Sequence, residues 1–274
     1  MIERFELPWL GGAAQHHFRK ARPEIDDLPW TKFDTSEYAP EAVWRARVAW
    51  TELAINEYRA AAWFTEVLHA LLDVKAPLDL VGMASAFLVD ECSHVEMASR
   101  LAMALGGGVE QHVDVERFAV RPRGLTALQR ANELVLRISC IEEAFSGGTA
   151  SVSLETTSHP LPRAVYEAIL GDEARHRRLG GLYFEWALRR IDEAELKRLG
   201  GVLRDVLHRI KPMWTLPTIA PASPSPDTRA LGWLEPTRFA EVAREVVVRD
   251  ILDPLATIGI AITAEERAQL FQNP

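Results

Sequence analysis

Residues 90–94 read DECSH and residues 172–176 read DEARH. With 39 acidic residues and 8 histidines in 274 positions, an acid-acid-x-x-His string should arise by accident roughly 0.16 times per chain, so two copies point to a shared role. A carboxylate and an imidazole three residues apart lie on one face of a helix. Together they suit iron, manganese or zinc.

The phase of each motif argues that its Glu and His face inward. Leu80, Ala84, Phe87, Glu91, His94, Ala98, Leu101 and Leu105 follow at steps of three or four, as do Val165, Ile169, Glu173, His176, Gly180, Tyr183 and Ala187. Each set forms one mainly apolar stripe. Ionised carboxylates buried without a partner cost several kcal/mol or more. Neither stripe contains Arg or Lys, so a metal between the helices is the economical counter-charge.

Four long helices are expected to position these residues. The first runs from Glu41 to about Asp73. The second lies between Pro77 and the glycines at 106–108, the third spans about Thr126 to Glu155, and the fourth about Leu161 to Ile191. Tight turns join the first to the second and the third to the fourth, and about 19 residues join the second to the third. Two hairpins linked by one long crossover is an all-α, ferritin-like four-helix bundle topology. Residues 1–40 read as an extended N-terminal arm, 41–191 as the bundle, and 192–274 as a C-terminal helical extension of the same compact body. The extension should hold helices over about 192–210 and 236–255. The Pro- and Ser-rich stretch between them, with Trp214 and Trp233, reads as a surface loop or lid.

A bundle metal site of this kind takes Glu-x-x-His from two helices and a Glu from each of the other two. In the first helix Glu57 shares the stripe of Trp50, Ala54, Ala61, Phe64, Leu68 and Leu71, whereas Glu52 shares a face with Arg45, Arg59 and Glu66. Glu57 is therefore the expected ligand. The third helix offers two. Glu142 stacks with Leu128, Ala131, Val135, Ile138 and Phe145; Glu143 shares its face with Leu136, Ser139, Ser146, Gly147 and Ala150, a row of mostly small side chains that would leave a cavity. Gly147 and Gly148 could open a substrate path or let helices pack closely.

From Glu57, Asp90-Glu91-x-x-His94, the Glu142-Glu143 pair and Asp172-Glu173-x-x-His176, residues 41–190 resemble the ferritin-like superfamily of carboxylate-bridged non-haem di-iron proteins. The chain is most similar to uncharacterised bacterial members with a GAP-like turn, here Lys75-Ala76-Pro77, and an LGG helix end. Their third-helix Cys-x-x-Glu aligns with Cys140 and Glu143, which favours Glu143. The resemblance implies that Glu57, Glu91, Glu143 and Glu173 ligate and bridge two iron ions, while His94 and His176 each cap one. Asp90 and Asp172 would then orient the histidine rings. The implied cofactors are an iron–iron pair, with manganese–iron as the alternative, and O₂. Departures from the wider family are Phe64 and Ala98, where certain relatives carry Tyr, and Ile169, where the p-aminobenzoate N-oxygenase type carries an extra ligating His. They argue against a stable tyrosyl radical and against the extra-histidine variant.

The expected function is oxidation of a small organic substrate by O₂ (hydroxylation, N-oxygenation or desaturation). The alternative is a ferroxidase, iron-handling or peroxide-scavenging protein. Partners implied are the substrate, an electron-donating reductase and a second copy in a homodimer. A formal charge of −8 and a pI near 5.6 argue against nucleic acid. No run of about 18 apolar residues suggests a membrane span, and the N-terminus lacks the pattern of a secretory signal, so a cytoplasmic address is expected. Cys92 and Cys140 show no redox or metal-site spacing and read as small buried residues.

Overall fold

The computed structural model describes residues 2–30, 33–215 and 226–272, and is mostly helical. A two-residue strand β1 (Glu3–Arg4) precedes α1 (Gly12–Ala21) and short 3₁₀ turns. Then come α2 (Pro40–Asp73) and α3 (Leu78–Ala104). Their connection is tight because α2 ends in a Schellman motif: Ala76 N–H donates to the Leu71 carbonyl and Lys75 N–H to that of Leu72. Lys75 accordingly takes the left-handed conformation, φ +50°. The end of α3 repeats the motif at Gly106, φ +108°, where glycine carries no steric penalty.

A long crossover follows, and its strand β2 (His112–Val113) pairs antiparallel with β1. The third long helix begins as α4 (Ala127–Val135), capped by a reciprocal Thr126–Gln129 box, passes through a π-helical segment (Leu136–Glu142), and continues as α5 (Glu143–Thr156). The fourth is α6 (Pro160–Ala187). The four pack around one core, in which Phe64, Phe87, Leu134, Ile138 and Tyr183 are buried.

Beyond them lie α7 (Glu193–Ile210), capped by Asp192, α8 (Pro226–Ala230) and α9 (Pro236–Val246). A second π-helical segment (Val247–Leu252) leads into α10 (Asp253–Thr257), and α11 (Ala264–Phe271) follows. The π-helical segments and α11 were not expected, since one extra residue per turn and an eight-residue helix leave little periodic signal. The α5–α9 approach is close: a Cβ on Gly148 would stand 2.7 Å from Val246 Cγ1. Gly148 thus permits packing and does not line a path.

The N-terminal arm is not merely extended, because α1 occupies its middle. Its C-terminal part is fastened to α3. Ile25 is fully buried in a cluster with Met97, Ala98 and Leu101, a burial worth about 1.5–3 kcal/mol. Arg19 pairs with Glu96, Arg100 pairs with Asp26, and the Arg100 guanidinium lies 4.1 Å from the centre of the Trp30 ring. Among the described residues, no helix is long and apolar enough to cross a membrane.

Candidate metal centre

The six residues expected as ligands converge between the four long helices. Glu57, Glu91, His94 and Glu173 place one candidate ligand atom each within 4.8 Å of one another, and so do Glu91, Glu143, Glu173 and His176. Glu91 and Glu173 belong to both groups. Glu57 with His94 is private to one, Glu143 with His176 to the other. The arrangement is two half-sites that share two carboxylates.

The distances bear this out. His94 Nδ1 lies 3.6 Å from Glu57 Oε2, 3.7 Å from Glu91 Oε2 and 3.6 Å from Glu173 Oε1. His176 Nδ1 lies 3.0 Å from Glu91 Oε1, 3.5 Å from Glu143 Oε2 and 3.7 Å from Glu173 Oε1. Glu91, His94 and His176 are 0% exposed and the other three no more than 5%. Yet both Glu91 oxygens, Glu173 Oε2 and both histidine Nδ1 atoms have no hydrogen-bond partner. Even the 3.0 Å His176–Glu91 approach is close without hydrogen-bond geometry. Buried polar atoms are nearly always satisfied, so inward-facing orphans of this donor type fit metal ions. Four carboxylates match the charge of two divalent cations.

Burial and mutual repulsion shape the charges. Burial, together with the Glu143 carboxylate beside it, pushes Glu173 well above the usual carboxylate range, and burial also raises Glu143. Burial would lower the histidines, but carboxylate partners override it: Asp172, Glu57 and Glu91 raise His94 well above its ordinary value, and Asp90, Glu143 and Glu91 raise His176 to about 12.

The outer ring nitrogens face the two aspartates across the helices. His94 Nε2 donates to Asp172 Oδ2 and His176 Nε2 to Asp90 Oδ2, each at 3.2 Å. Each motif's Asp therefore holds the other motif's His, and both rings are turned with Nδ1 inward. Burial would raise Asp172, but its bonds to His94 and Arg22 take it down to about 2. The His176 ring is also packed against Phe87 and Phe64, with centroids 4.1 and 5.2 Å away.

On the third helix, Glu143 joins the cluster and Glu142 pairs with Arg209. The π-helical segment explains why apolar phase favoured Glu142. Its wider turns rotate everything after them, so a 3.6-residue projection from Leu128 arrives one residue early. Cys140 is partly buried, its thiol pushed up to about 12 by desolvation, and it packs against Gly180, where a Cβ would collide with its sulfur. Cys92 departs from expectation and is exposed, pointing away from the ligands.

A cavity of about 1060 Å³ runs along α2 and α5 and is lined by Glu57, Glu143 and Glu173, but not by Glu91, His94 or His176. Among the described residues, this cavity therefore reaches the cluster on the side of those three carboxylates. Ser146, Thr149, Ala150 and Ser153 form the small-residue wall, and Trp50, Trp63, Phe118, Phe145 and Phe239 supply aromatic surface. Gly147 is absent from the lining and faces Arg177. Trp233 lines the cavity, whereas Trp214 is buried and donates to the Leu270 carbonyl, so only one of the two tryptophans borders it. Residues 216–225, the middle of the expected loop or lid, lie outside the described residues.

Sequence reasoning missed Arg22, whose guanidinium reaches Asp90 and Asp172 from the arm. No local pattern signals a contact across 68 and 150 residues. No known family model matches the chain, and no curated protein matches it either.

Proposed function

We propose that the chain is a ferritin-like, carboxylate-bridged dimetal oxidoreductase that uses two iron ions and O₂ to oxidise a small organic substrate, by hydroxylation, N-oxygenation or desaturation. The observation that carries this reading is the cavity: about 1060 Å³, large enough for a substrate, ending on three of the six clustered acids and histidines. A centre serving iron alone would need only an ion path.

Glu57 with His94 would hold one ion and Glu143 with His176 the other, with Glu91 and Glu173 shared between them. When bound, the iron pair supplies electrons to O₂ and the oxidising power directed at substrate. The protein's part is placement and shielding. Carboxylates can change between terminal and bridging modes without leaving the centre, and Glu57, Glu143 and Glu173 are those on the substrate side. Aromatic walls exclude water from the reacting groups. The aspartates hold the rings and raise their basicity as ligands. Net oxidation with O₂ also requires external electrons for monooxygenation, which implies a reductase partner. A homodimer in the cytoplasm remains the expected setting.

Protein from iron-supplemented cells should contain two irons per chain. After anaerobic reduction, exposure to O₂ with a fraction of small organic metabolites should yield products shifted in mass by one oxygen or two hydrogens. Ala150→Trp, which fills the cavity wall, should retain both irons and abolish those products. Iron oxidation continuing far beyond two ions per chain, with no organic product, would support the iron-handling alternative. A chain without metal would sink both.

A further inference from the structure

The two aspartates behind the histidines are themselves held from outside the bundle. Arg22 Nη1 donates to Asp90 Oδ1 at 2.7 Å and Nη2 to Asp172 Oδ2 at 2.7 Å. The same two carboxylates accept from His176 and His94 through Asp90 Oδ2 and Asp172 Oδ2. Arg22 is 9% exposed and its partners 6 and 7%. One buried fork thus joins both halves of the cluster through two aspartates on different helices.

Resting on the dimetal reading, we propose that Arg22 is a positioning residue of the metal centre, supplied by the N-terminal arm to hold both histidines with Nδ1 inward. Asp90 and Asp172 are like charges on different helices, and a buried guanidinium that donates to both offsets their repulsion and fixes where each carboxylate stands. The guanidinium suits the task because its planar fork donates along two directions at once, which a lysine ammonium does not do in fixed geometry. Arg175 also touches both aspartates, at 3.2 Å to Asp90 and 2.6 Å to Asp172, but its side chain is 57% exposed and contributes less under solvent screening.

The arm is anchored well enough to deliver such precision. Ile25, three residues on, is fully buried, and Arg19, one turn earlier in α1, pairs with Glu96 of α3. Placed this way, Arg22 acts on both half-sites, whereas each aspartate acts on one. Positioning and simple fastening of the arm therefore differ in what they do to metal.

The test is anaerobic Co(II) titration of the full chain, read by metal stoichiometry and the visible absorption bands, with circular dichroism and metal-free melting as the measure of fold. Wild type should bind two Co(II). Arg22→Gln should weaken both sites by about 10–100-fold and alter both sets of bands. Arg22→Lys should recover part of the loss. Asp90→Asn should affect mainly the His176 site and Asp172→Asn mainly the His94 site. A folded Arg22→Gln variant with wild-type affinity and bands, or one weakened at a single site, overturns the positioning role and leaves the dimetal reading intact. Should Arg22→Gln not fold, wild-type affinity and bands in Arg22→Lys overturn it equally. Wild type that binds neither Co(II) nor Fe(II) overturns the dimetal reading, and this inference with it.

Discussion

Glu91 and Glu57 differ in a way that metal-dependent stability can read directly. Glu91 belongs to both four-residue groups and Glu57 to one. Glu91→Gln keeps the shape of the side chain but leaves each half-site short of one charged ligand, whereas Glu57→Gln leaves Glu91, Glu143, Glu173 and His176 untouched. A ligand that binds only the native state at one hundred times its Kd stabilises by about 2.7 kcal/mol per site, so two sites give about 5 kcal/mol. At roughly 2–4 °C per kcal/mol for a chain of this size, the wild-type Tm should rise by roughly 10–20 °C. Glu57→Gln should keep about half of that rise, and Glu91→Gln almost none. Thermal melts with and without anaerobic Fe(II) or Co(II), paired with metal counts per chain, make the comparison. If Glu91→Gln gains as much as Glu57→Gln, the shared-ligand geometry is wrong; if it gains as much as wild type, Glu91 is no ligand.

Other substitutions probe the scaffold. Gly148→Ala should destabilise by about 1–3 kcal/mol in urea denaturation, because its Cβ would sit 2.7–2.9 Å from atoms of Val246 and Asp250, where α5 packs on the end of α9 and the π-helical segment after it. Tyr183→Phe should cost about 1 kcal/mol in the same assay, since the buried hydroxyl donates to Asn132 Oδ1 at 2.8 Å. Glu195 links stability to pH: burial would raise its carboxyl, but bonds from Arg198 and Asn132 lower it below the ordinary 4.5. Its contribution is therefore full above about pH 4.5 and is lost as pH falls through the lowered value. Denaturation of wild type and Glu195→Gln at pH 6 and pH 4 should show a gap that narrows on acidification; an unchanged gap contradicts the linkage.

Much of the scaffold is legible in local pattern. The four long helices fall within a few residues of their expected bounds because Pro, Gly and capping residues mark the ends and apolar stripes mark the faces. The same periodicity located Glu91, His94, Glu173, His176 and Glu57, since a carboxylate on an apolar stripe is conspicuous. Glu142 against Glu143 was harder for a definite reason. Seven residues of π-helix shift the phase, and a pattern argument presumes constant pitch. Cys92 was misjudged because small apolar residues are statistically buried, whereas here the neighbouring Ser93 and His94 take the inward positions.

By itself, then, the sequence determined which side chains stand one turn apart on which helical faces, a matter of bond geometry within about ten residues. Only the tertiary structure decided the pairings between distant segments: Asp90 with His176, Asp172 with His94, and Arg22 with both aspartates. It likewise decided that Trp233 borders the cavity while Trp214 is sealed in the core. Such contacts depend on the crossing of helices and the path of the arm, which many distant interactions set together and no single window of sequence contains.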